Sequence, residues 1–182
     1  MKYRAFRHRQ PSYVFGPVLA VALLAAASAE AGTPPPRGGH SLTEVDGVLL
    51  LFGGDGGVAT RIPSGQSIIF NDLYEFNTDD SSYVEKLVAN PPTARRGHGA
   101  AGVGDKMYVF FGEDEDGNIV SDAAVLDTFK ETWEEVQAPP SFFTPRTDLT
   151  AVGDGQGGIF LFGGTSDTGA FADLWRVNAA DE

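Results

Sequence analysis

The 182-residue chain has no cysteine, two methionines, two tryptophans and three histidines. Disulfides, thiolate nucleophiles and sulfur-ligated metals are therefore excluded. Beyond the N-terminus no long stretch repeats apolar residues at the three- and four-residue spacing of an amphipathic helix. Basic residues are also scarce, 13 Lys and Arg against 25 Asp and Glu, and those after the first ten positions are scattered. Such a chain lacks the clustered positive charge that binds nucleic acid or anionic membrane. What it does have is 23 glycines and 11 prolines, which cut an otherwise core-forming composition, 42% apolar, into short pieces. One all-β domain, or part of a larger one, is expected.

The N-terminus reads differently. Lys2, Arg4, Arg7 and Arg9 precede an apolar run broken at Gly16-Pro17 and ending in small residues, the pattern of a secretory signal peptide over residues 1–29. A membrane anchor needs about twenty apolar residues, more than this run supplies. Cleavage is expected after Ala29, or after Ala31; removal of the first 29 residues would leave nine basic against 25 acidic residues and a net charge of −16, which serves solubility. Export and no membrane attachment after cleavage are expected. A proline-rich linker, residues 30–36, follows.

Three segments of the remainder align, "RGGHSLTEVDGVLLLFGG", "RRGHGAAGVGDKMYVFFGE" and "RTDLTAVGDGQGGIFLFGG", beginning at Arg37, Arg95 and Arg146. Each follows prolines, and each is followed by a second apolar piece opened by Asp72, Asp122 or Asp173. Tyr83 and Trp133 each lie eleven residues beyond an Asp. The apolar runs end at Gly53-Gly54, at Gly112-Glu113 and at Gly163-Gly164, so Glu113 reads as the replacement of a second glycine. A glycine pair after a strand permits positive φ and close approach of a neighbouring backbone. Runs such as Val48 to Phe52, Met107 to Phe111 and Ile159 to Phe162 read as middle strands buried on both faces.

A period near 50, with an Arg-x-x-His entry, a strand closed by glycines, an Asp-Leu-aromatic strand containing Tyr74 or Trp175, and a later Trp, resembles the kelch repeat. The resemblance implies a partial β-propeller of three four-stranded blades, the last incomplete, at about 37–91, 92–141 and 142–182. In that family the histidine, His40 and His98 here, packs and hydrogen-bonds near the start of the innermost strand, and Leu149 takes its place in the third repeat. The recurring arginines are expected to tie blades together. Because one blade cannot bury its own faces, stability must come from stacking between repeats.

No catalytic, cofactor or metal site is expected. Asp167-Thr168-Gly169 matches the catalytic triplet of aspartic proteases, yet it lies in a loop, with Thr165-Ser166 rather than an apolar strand leading into it. The acidic loop Gly112 to Asp122 offers oxygen ligands, but its glycine and terminal acid are misplaced for the helix-loop-helix calcium site, so it reads as solvated. Copper chemistry of the galactose oxidase type needs a cysteine. A nitrile-specifier-like iron set would need Glu, Asp and His four residues apart, which Glu113, Gly117 and Ser121 do not give. For sialic acid mutarotase-like activity no residue set carries over. A binding module for a protein or glycan is the expected function, with a diverged accessory enzyme as its rival. The first repeat's insertion around Arg61 is the loop singled out for ligand contact. Three blades would leave two blade faces open, so either a homodimer or a fragment of a longer propeller is expected.

Overall fold

The structure, a computed structural model, describes residues 32–58, 67–136 and 143–179. Residues 1–31, which include the expected signal peptide 1–29, and also Arg61 and Glu182 lie outside the described residues. Among the described residues there is no helix. In the first blade β1 (Ser41–Val45), β2 (Val48–Val58), β3 (Ser67–Asn77) and β4 (Ser82–Glu85) form an antiparallel meander. Asp46 and Gly47, both at positive φ, make the tight turn from β1 to β2 that matches strand twist. The second blade repeats the plan with β5 (Gly99–Val103), β6 (Lys106–Phe110), β7 (Ala123–Asp127) and β8 (Thr132–Val136). In the third, β9 (Thr150–Gly153) and β10 (Gly158–Phe162) lead through a small hairpin, β11 (Thr165–Ser166) and β12 (Gly169–Ala170), to β13 (Leu174–Asn178). Its sheet has three described strands.

Alternation along each strand decides which residues face the preceding blade and which the following one. Leu50 and Phe52 of β2 point forward and meet Met107, Val109, Ala124, Leu126 and Trp133 on the rear face of the second blade. Tyr108, Phe110 and Val125 point forward in turn and meet Leu149, Ile159 and Leu161. The core is therefore two layers between three sheets. Trp133, from the outer strand, fills the space against Phe52 at a centroid distance of 4.9 Å. The third run departs from the expectation of burial on both faces: Ile159 and Leu161 are buried, whereas Phe162 is exposed on the side that no described blade covers.

Two glycines inside strands set how closely the innermost strands approach. A Cβ at Gly102 would lie 2.0 Å from the Glu44 carbonyl oxygen, and one at Gly153 would lie 2.4 Å from that of Gly102. Neither φ is positive, so the requirement is contact and not backbone conformation.

The repeats register one residue differently from the sequence alignment. Gly54, Gly112 and Gly164 share φ near 100° (102°, 101° and 94°), and Gly53, Phe111 and Gly163 share φ near 60° (63°, 56° and 67°). Gly112 is thus the second glycine and Phe111 stands in for the first. Glu113 instead matches Asp55 and Thr165, since each of the three pairs with the residue following the repeat's arginine. A phenylalanine survives at positive φ here because its ring stacks on Phe143, 5.3 Å away and 12° from parallel, inside the core.

Candidate functional site

Each repeat builds the same clamp where its entry segment meets the end of its second strand. Arg37 donates to both carboxylate oxygens of Asp72, at 2.5 and 2.9 Å, Arg95 to those of Asp122 at 2.5 and 3.0 Å, and Arg146 to those of Asp173 at 2.5 and 3.2 Å. The same guanidinium donates to the carbonyl of Gly53, Phe111 or Gly163, and its Nε donates to the carbonyl two residues earlier. A buried guanidinium needs this many acceptors. Arg37 lies over the Phe70 ring, with Tyr74 further off, and Arg146 lies between Phe143 and Phe171. Hydrogen bonds from Arg146, outweighing burial and helped by the Trp175 indole, hold the Asp173 carboxyl below the usual range.

These side chains act within a blade, not between blades as the sequence reading had it. Their backbone carbonyls make the connection: Gly54 N–H donates to Arg95 O and Gly112 N–H to Arg146 O, each bond running from one blade to the next. A second series runs beside it, with Gly97 N–H donating to Gly39 O and Asp148 N–H to Gly97 O. Gly39, Gly97 and Asp148 all sit at positive φ, so the third repeat holds an aspartate where the others have glycine.

The two histidines differ. His98 is buried, its Nε2 2.9 Å from the Ser41 hydroxyl of the preceding blade and its ring edge-on to Phe52. Burial, reinforced by the charge of Arg95, pushes its pKa down to about 3, so it stays neutral. His40, which was expected to be packed in the same way, is exposed because no described blade precedes it. Tyr83, equivalent to Trp133, rests on Phe76 of its own blade and is half-exposed for the same reason.

At this end of the blades a shallow cavity of about 450 Å³ is lined by all three repeats. Its centre is Arg96, which donates to Asp55 of the first blade at 2.5 Å and to Glu113 of its own blade. Those two acceptors, Glu113 first, raise the Arg96 pKa. Burial pushes the Asp55 carboxyl up, but the Gly57 N–H and Arg96 outweigh it and hold the carboxyl low. Asp148 and Thr147 complete the rim. Carboxylates outnumber cations here, and Arg96 is spread over two of them while remaining partly exposed. An arrangement of this kind exchanges ion-pair partners at little cost and so suits contact with a charged ligand.

The other sequence candidates fall around this surface. Asp167 and Thr168 are the exposed two-residue turn of the β11–β12 hairpin, held by a Ser166–Thr168 hydroxyl contact of 2.9 Å. In the acidic loop Asp114 turns inward and accepts from the backbone of Asp116 and Asn118, which ties the carboxylate to its own turn. Among the described residues no three His, Asp or Glu side chains converge on a metal position. The insertion around Arg61 lengthens β2 and β3 to eleven residues each, past the glycine pair. Sequence reading missed Arg96, Asp55 and Asp148. The signal was present as an Arg-Arg doublet and an acid directly after two glycine-containing strand ends, but only the fold brings them together.

A second cavity, about 220 Å³, opens at the opposite strand ends between the first two blades. It is lined by Val45, Leu50, Leu73 and Leu126, with Lys86 at its edge between Glu75 (3.6 Å) and Glu131 (3.5 Å). Its walls continue the core layer, and its charged groups, Glu75, Lys86 and Glu131, are paired with one another at the edge and draw on the first two blades alone. The first cavity is the better candidate.

Residues 39–182 match the family model described as the KLHDC2/KLHL20/DRC7 Kelch-repeats domain. The chain is 30% identical over 159 residues to the flagellar outer-arm dynein alpha chain of Chlamydomonas reinhardtii, covering 85% of this chain and 3% of that protein. It is 33% identical over 137 residues to acyl-CoA-binding domain-containing protein 5 of Arabidopsis thaliana, covering 75% and 20%. A third relative, Adagio-like protein 3 of Oryza sativa subsp. japonica, is 30% identical over 161 residues, covering 82% and 24%. The chain thus spans a quarter or less of the length of each.

Proposed function

Because the chain belongs to the kelch-repeat family, we propose that it is an exported interaction module that holds a protein partner at the loop end of its blades, through a Lys- or Arg-rich segment of that partner. The observation that carries the reading is the cavity centred on Arg96, where Asp55, Glu113 and Asp148 from three successive repeats face one shallow opening. An incoming basic side chain would take over Glu113 or Asp55 from Arg96, and the neighbouring acidic residues Asp114, Glu115 and Asp116 would draw it in. Relatives that carry a similar segment inside much longer proteins support its use as a contact module rather than as a reaction centre.

The test is binding of Lys/Arg-rich and Asp/Glu-rich peptides to the full chain at low and high salt. Basic peptides are expected to bind, with affinity falling at least tenfold from about 50 to 500 mM salt as screening sets in, and Glu113→Lys with Asp148→Lys is expected to abolish the binding. Equal binding of acidic peptides, or indifference to both substitutions, refutes the reading.

Export is tested separately. Secreted material is expected to begin at Glu30 or Gly32 by mass spectrometry, and recovery of Met1 on secreted protein would contradict it.

A further inference from the structure

The two seams between successive blades are built from equivalent positions, yet one is closed where the other is open. Val48 pairs with Val45 as Lys106 pairs with Val103, so Leu50 of β2 and Tyr108 of β6 hold the same position. In the seam between the second and third blades Tyr108 is buried, and its hydroxyl donates across the joint to the Ala179 carbonyl at 2.9 Å. Val125 and Val136 pack beside it. In the seam between the first and second blades those three positions hold Leu50, Glu75 and Lys86. A leucine cannot span the gap that the Tyr108 ring fills, and the charged pair stays at the edge. What remains is the cavity of about 220 Å³ floored by Val45, Leu50, Leu73 and Leu126.

The mouth of this cavity carries apolar groups that folding does not require. Phe129 lines it and is 78% exposed. Its turn is closed by Asp127, which accepts from the backbone N–H groups of Phe129 and Lys130, and the matching turn of the first blade, closed by Asn77, has Asp79 in the place of Phe129. The turn itself thus does not call for an aromatic ring. Leu87, between the lining residues Lys86 and Val88, is 91% exposed. Charge at the mouth is unbalanced, because Asp46, Glu75 and Glu131 share the lining with one cation, Lys86. Lys86 stands 3.6 Å from Glu75 and 3.5 Å from Glu131, too far for strong hydrogen bonds, so either glutamate can take another cation at little cost.

We propose that this cavity receives one aromatic side chain from a peptide segment of a partner protein, and that a Lys or Arg next to that residue pairs with Glu75 or Glu131. The ring takes the place that Tyr108 fills in the following seam, and the added cation answers the excess of carboxylates. Phe129 and Leu87 then shelter the buried ring from water, as the surround of an anchor residue does. Size selects a side chain over a free small molecule, since pockets for such ligands usually enclose about 300 to 1,000 Å³. Both walls belong to blades of this chain. The site lies at the strand ends opposite Arg96 and is separate from the acidic cavity there.

Fluorescence anisotropy of short labelled peptides with the full chain, at physiological salt, tests the proposal. A peptide with Phe-Lys at its centre is expected to bind, and peptides with Ala-Lys or Phe-Glu instead should bind about tenfold or more weakly, as loss of an anchor or its charge partner demands. Leu50→Tyr brings in the residue of the next seam, so it should fill the cavity and weaken Phe-Lys binding by about tenfold or more without lowering the urea midpoint. Phe129→Ser alters an exposed turn residue, leaves the fold intact and should weaken binding severalfold, which keeps the test decisive if Leu50→Tyr lowers the midpoint. Glu113→Lys with Asp148→Lys, at the other end of the blades, should leave Phe-Lys binding in place. No binding of the Phe-Lys peptide, equal binding of the Ala-Lys peptide, binding that survives both Leu50→Tyr and Phe129→Ser, or loss in the Glu113 and Asp148 double variant would each overturn the proposal.

Discussion

Gly102→Ala is expected to lower stability by about 3 kcal/mol or more, at the upper end of what forcing one extra carbon into a packed interior costs. Its Cβ would stand 2.0 Å from the Glu44 carbonyl oxygen and 3.3 Å from a Val45 methyl, and neither neighbour can rotate away, since one is backbone and the other lies in the core. Relief requires β1 and β5 to separate. That separation would also stretch the Gly97 N–H bond to Gly39 O and the His98 contact with Ser41, because all three connect the same two strands or their entry segments. Gly104→Ala is the control. Gly104 has φ of 59° but nothing within 4 Å of the added carbon, so only the left-handed backbone is penalised, at about 1 kcal/mol. Urea unfolding of the two variants separates contact from conformation. Equal losses, or a larger loss at Gly104, would show that the inner strands do not approach as described.

The clamps give the second large effect. Arg95 is fully buried, and Arg95→Met would leave the Asp122 carboxylate and the Thr93 and Phe111 carbonyls without their donor. Loss of one member of a buried pair costs about 3 to 5 kcal/mol, and the lower end applies here because Asp122 retains some contact with water. Arg96→Met, one residue along, removes two partly exposed ion pairs, to Asp55 and Glu113, and should cost about 1 kcal/mol. The contrast is the test: urea midpoints for the two variants should differ severalfold in their displacement from the parent chain. If Arg96→Met is the more damaging, then the recurrent arginine is not what holds the blade. Adding Asp122→Leu to Arg95→Met should restore part of the loss, because the stranded charge is then gone.

Much of this was legible before any coordinates. Arg95 and Arg146 each precede their Asp, Asp122 and Asp173, by 27 residues, and Arg37 precedes Asp72 by 35 because the first repeat carries an insertion, so both clamp partners stood out as recurring residues. The interpretation of those residues was less secure. Spacing cannot tell whether an arginine reaches its own blade or the preceding one, because both lie at similar sequence distance, and the side chain and the carbonyl turned out to divide the two tasks. The alignment at Glu113 failed for a related reason: Phe111 was not recognisable as a residue at positive φ, since the stacking that sustains it comes from Phe143, 32 positions away.

By itself the sequence determined the fold class and the recurrence of the blade, because apolar pieces cut by glycine and proline, repeated at a period near 50, have few ways to bury themselves except by stacking as sheets. It also excluded disulfides and thiol chemistry, since cysteine is a matter of composition. Tertiary structure alone decided that His98 is buried while His40 is exposed, that Gly102 and Gly153 are contact points, and that Arg96 joins Asp55 to Glu113. All of these depend on what the neighbouring blade places opposite a residue. A local pattern records which face of a strand is apolar, but not what that face meets, and both the acidic loop end and the uncovered faces of the outer blades are defined by what they meet.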